Sequence, residues 1–185
     1  MVRGRLSMLA FAAVAASVVA TMPSPAAAAS GAEISRDASA ALAALYRSQP
    51  SAKALGQRAK GILVFPRMLK AGFMFGGQIG EGALLKNGKT VGYYNSVAAS
   101  YGLQAGAQKF GYALFFMNDA ALKQLDATKG FELGVGPSIV VLDSGAAKSF
   151  TSNTATSDVY AFIFSQTGLM AGMGIQGSKI TKISK

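Results

Sequence analysis

The chain has 185 residues, a length that suggests one domain, and 51% of them are hydrophobic, so an ordinary core is available. Its 18 lysines and arginines against 8 acids give a formal net charge of +10, which favours anionic partners. With no Cys and no His, disulfides, thiolate or imidazole metal sites, and Ser-His-Asp or Cys-His catalysis are excluded.

In chain order, residues 1–29 are expected to be a secretory signal peptide. Arg3 and Arg5 make a basic start, Leu6 to Thr21 is a short apolar run, and PSPAAAAS offers small residues for cleavage after Ala28 or Ala29. A retained anchor would need about 20 apolar residues. The leader carries two arginines and no acid, so its removal leaves a charge of +8. Export to the periplasm or cell envelope, or secretion, is the expectation.

Residues 30–185 read as one domain, helical over 33–60 and mainly β over 62–185, with a short helix near 118–127. Glu33 to Arg47 has the helical stripe Ala38, Leu42 and Leu45, with Arg36, Asp37 and Arg47 toward water. Pro50 is expected to open a second helix through SAKALGQRAK, with Gly61 at its C-terminal cap. Lys53, Arg58 and Lys60 crowd this helix; they suit either a helix C-terminus or a basic surface for anionic ligands.

Ile62 to Phe65 is a short buried strand, expected to stop at Pro66. GFMFGGQIGEGALL and TVGYYNSV flank Asn87-Gly88, a strong hairpin signal. SYGLQAGAQ and YALFFM read as two further strands. Asn118 caps a short helix, DAALKQLDA, with Leu122 and Leu125 inward. FELGVG, SIVVL, DVYAFIF and GLMAGMGIQGSKITKI complete the strands, and the segment between Leu142 and Ser157 reads as loop-rich. The fold class is therefore α+β: N-terminal helices followed by a mainly antiparallel, strongly curved β-sheet or barrel-like domain.

Gly172-Met-Gly174-Ile-Gln-Gly177 has the G-x-G-x-x-G spacing of a dinucleotide turn. Only eight residues follow Gly177, none acidic, so the helix and the distant acid that the turn requires are missing. Strand alternation explains these glycines better. Gly172, Gly174 and Gln176 share one face of their strand. Gly76, Gln78 and Gly80 do the same in a second strand, and Gly102, Gln104, Gly106 and Gln108 in a third. Such a Gly/Gln face suits curvature and close packing, or a shallow ligand groove lined by glycine and amide. No phosphate loop, nucleophile elbow or S-x-x-K motif is present.

The blocks AKGILVFPRMLKAGFMFGGQIGEGALL, GKTVGYYNSVAASYGLQAGAQKFGYALFFMND, FELGVGPS and SDVYAFIFSQTGLMAGMGIQGSKI resemble the SYLF domain family. The resemblance covers nearly all of residues 30–185, with the motifs in order. It implies a non-enzymatic lipid-binding domain, whose eukaryotic relatives bind phosphoinositide membranes and, in some cases, actin filaments. The lipid contact attributed to the N-terminal part of the family would fall on Lys53, Arg58, Lys60, Arg67 and Lys70. An exported chain would meet anionic phospholipid or lipopolysaccharide; neither actin nor nucleic acid is expected as a partner. No cofactor and no metal is expected. The alternative reading is a structural or self-assembling envelope protein, such as a small outer-membrane barrel.

Overall fold

A computed structural model describes residues 29–73, 75–101, 106–126, 130–133, 137–142, 156–168 and 177–185. Helix α1 (Gly31–Ser48) starts at a capping box: the Ser30 hydroxyl accepts from the Glu33 N–H, and the Glu33 carboxylate accepts from the Ser30 N–H. Ile34, Ala38, Leu42 and Leu45 form its buried stripe. Helix α2 (Pro50–Gly56) carries Pro50 in its first turn and buries Ala52 and Leu55. It is shorter than the sequence suggests. Gly61 is not its cap but the first residue of a strand, where a Cβ would press on the Leu122 side chain at 3.0 Å.

Eight strands form one sheet: β1 (Gly61–Phe73), β2 (Phe75–Lys86), β3 (Lys89–Tyr101), β4 (Gly106–Phe116), β5 (Phe131–Glu132), β6 (Ile139–Leu142), β7 (Val159–Gly168) and β8 (Lys179–Ile183). Their order is β5-β8-β3-β2-β1-β4-β7-β6, antiparallel throughout except for the parallel pair β6 and β7. Helix α3 (Asp119–Leu125) follows β4; the Asn118 side chain caps it by accepting from the Ala121 N–H at 2.8 Å, and Leu122 and Leu125 are buried.

Two sequence expectations need correction. Pro66 does not end β1, because the register with both neighbours shifts at Phe65–Arg67. A bulge is one of the few strand positions where a missing N–H is tolerated. The segment SYGLQAGAQ is not a strand of its own: Ser100 and Tyr101 finish β3, while Gly106 to Gln108 open β4, which runs on through YALFFM. The Asn87-Gly88 turn is as expected, with both residues at positive φ (49° and 75°). Most of the loop-rich 142–157 segment lies outside the described residues.

The sheet is curled into a half-barrel. In a flat sheet β4 and β3, separated by β1 and β2, would lie about 14 Å apart. Yet the Tyr112 hydroxyl on β4 donates to the Ser96 hydroxyl on β3 at 2.7 Å. The face bearing both is therefore concave. It holds a core of Leu63, Phe65, Met68, Leu84, Phe110 and Phe116, closed at one end by α3. On the convex face, α1 and α2 pack over Ile62, Val64, Ala83, Leu85, Phe115 and Phe162.

Candidate functional site

The Gly/Gln face lies on the concave side. Lys70 on β1 pairs in register with Gln78 on β2 and with Gln108 on β4, so the three form one cross-strand row, all buried. The Gln78 amide donates to the Ser178 hydroxyl at 2.6 Å. One row up, Gly80 has no room for a side chain: a Cβ would run into the Met68 sulfur and would stand 2.7 Å from the Arg67 carbonyl. At Gly82 a Cβ would meet the Val64 carbonyl and the Phe65 ring. What packs against the bare face is thus the bulged neighbouring strand. Burial raises the Tyr112 hydroxyl pKa far above its ordinary value, although the Ser96 hydrogen bond opposes this, so the phenol stays a neutral donor. Gly102, Gln104, Gly172, Gly174 and Gln176 lie outside the described residues.

The five basic positions singled out in the sequence do not form one patch. Lys53, Arg58 and Lys60 are exposed on α2 and the turn that leads into β1. Arg67 is exposed on the convex side of the bulge and bound to Asp37 of α1, which also holds Arg36. Lys70 points into the concave interior. Along β1, Lys60 and Lys70 are about 30 Å apart. Arg47, also exposed, lies in the last turn of α1, shortly before α2 in the chain. Residues 38–80 contain six cations and no acid.

A second surface was missed in the sequence. Below the Arg67–Glu81 row the helices no longer cover the convex face. There Leu69, Ile79 and Val97 form a direct cross-strand row. They are 45%, 57% and 46% exposed, far more than the core positions above them. The row continues to exposed Lys109 opposite Leu69 on one side, and on the other to exposed Lys179 opposite Val97, with Glu132 beyond it opposite Lys179. Small residues, Ala71, Gly77 and Ala99, make up the next row. The only sequence signal was parity, which sets Ile79 opposite the glycines; register between strands is what assembles the row.

Residues 97–185 match the family described as Ysc84, Las17-binding protein actin regulator. Over that span the chain belongs to the Ysc84/SYLF domain family. No curated protein matches it. The matched span runs from the end of β3 through β8 and so includes Val97, Lys109 and Lys179. Ysc84/SYLF domains are a family of binding rather than catalysis, known for lipid binding. Among the described residues no group of three or more acidic side chains gathers as a metal site would require, and no helix is long and apolar enough to cross a membrane.

Proposed function

We propose that this chain is a non-enzymatic domain that binds anionic lipid surfaces, as an exported protein of the periplasm or cell envelope. The observation that carries the reading is the charge distribution at the α1–α2 corner. Arg47, Lys53, Arg58 and Lys60 are exposed within fourteen residues, in a stretch of 43 residues without an acid. A cation near an anionic membrane contributes roughly 1 kcal/mol, so such a group acts collectively. Family membership supports lipid as the anion carrier. The actin partner in the family's description is not carried over, since a chain with the expected leader leaves the compartment of filaments.

The test is co-sedimentation with vesicles. The triple variant Lys53→Ala/Arg58→Ala/Lys60→Ala should bind anionic vesicles about a hundredfold more weakly than the parent, three contributions of about 1 kcal/mol each. Unchanged binding would remove the corner from the account. The outer-membrane barrel fits less well, because α1 and α2 cover the upper half of the convex face, which lipid would have to surround.

A further inference from the structure

We infer that the uncovered lower half of the convex sheet face is where the protein enters the lipid interface, with Ile79 at its centre. This rests on the lipid-surface reading and adds the apolar contact to it. A basic surface alone holds a protein outside the headgroups, whereas stable attachment to a bilayer combines charge with buried apolar area. Leu69, Ile79 and Val97 supply such area. They sit in one row, each about half exposed, on a floor of alanine and glycine with no protruding polar side chain.

Charge complementarity names the occupant. Lys109 and Lys179 bracket the row, placed to meet headgroups on either side while the three apolar side chains reach past them. Residues 82–118 and 159–185 contain no Asp or Glu, and neither do residues 68–80; the acid of this row is Glu132 of β5, exposed beyond Lys179 and directly opposite it. On β2 the acid Glu81 is one row up and bound to Lys185. A second copy of the chain is the poorer occupant. Twofold face-to-face pairing centred on Ile79 sets lysine against lysine whichever way the copies turn. The α1–α2 corner is on the same side of the sheet, because α2 packs on the convex face. One membrane approaching that side meets both the cations and the apolar row.

The chain has no Trp, so a single introduced Trp reports its own environment. Ile79→Trp and, as control, Val91→Trp are mixed with anionic vesicles containing brominated lipid. Val91 is also about half exposed, at 52%, but lies at the other end of β3. Ile79→Trp emission should shift to the blue and be quenched, and Val91→Trp should show neither change. The variant Leu69→Ser/Ile79→Ser, with an unchanged melting temperature, should partition about tenfold more weakly. If the parent binds vesicles but the Ile79→Trp and Val91→Trp variants respond alike, this inference fails and the lipid-surface reading stands. If the parent does not bind anionic vesicles at all, both fail. A blue shift that grows with protein concentration in the absence of vesicles would assign the face to a second copy and overturn the proposal.

Discussion

Two glycines of β2 test what the glycine-rich face is for. Gly82 lies under the Phe65 ring and the Val64 carbonyl, and an added methyl group cannot be accommodated without moving the backbone of β1. Gly82→Ala should cost about 1–3 kcal/mol, read from urea unfolding. Gly77 faces the other way, and a Cβ there would meet only the Ala98 carbonyl, at 3.6 Å. Gly77→Ala should be neutral or stabilise by up to about 1 kcal/mol, through the loss of freedom in the unfolded chain. Equal costs at the two sites would mean that these glycines serve general flexibility and not close packing. Alternation in the sequence was enough to put Gly80, Gln78 and Gly82 on one face. It could not show that Phe65 and Met68 cover the glycines, because the bulge at Pro66 changes the parity of β1 halfway along.

The junction of β4, α3, β6 and β7 hangs on two polar side chains. Asn118 caps α3 with its carbonyl and donates its amide to Asp158 at 2.7 Å, while Asp158 also accepts from the Ser138 N–H and hydroxyl at the start of β6. Asn118→Ala should cost about 1–2 kcal/mol. The Ser138 N–H, then the Asn118 amide and the Ser138 hydroxyl, hold the Asp158 carboxyl below its ordinary value of 3.8. A depressed folded-state value adds stability that is complete above the unfolded value and lost as pH falls through the folded one. Asp158→Asn should therefore lower the melting temperature at pH 7, and the gap to the parent should narrow as pH falls below about 4; a gap that is constant with pH would refute the role of the charge. The α3 cap and the Asn87-Gly88 hairpin were readable because each is a local rule satisfied within a few residues. The passage of β1 through Pro66 was not, since the same proline ends a strand or sits at a bulge depending on neighbours that only the folded sheet supplies.

At the scale of the whole molecule, α+β class and strong curvature followed from helical stripes giving way to alternation and from glycine in successive strands. The strand order did not follow. The two-residue β5 on β8 and the parallel β6 on β7 are pairings at a distance, with no local signature. The same limit applies to the surfaces proposed for lipid. The corner cations were visible as a run without acids, but Lys70, one of that run, turns into the interior. Leu69, Ile79 and Val97, 28 residues apart at the extremes, become neighbours only through register. The central claim is that these surfaces meet an anionic bilayer, and it is tested most directly by the vesicle partition coefficient of the parent protein as salt is raised. The account predicts strong binding to anionic vesicles at low salt that falls steadily as salt screens the cations, with little binding to neutral vesicles throughout. Equal binding to neutral and anionic vesicles, or no binding to either at low salt, would contradict it.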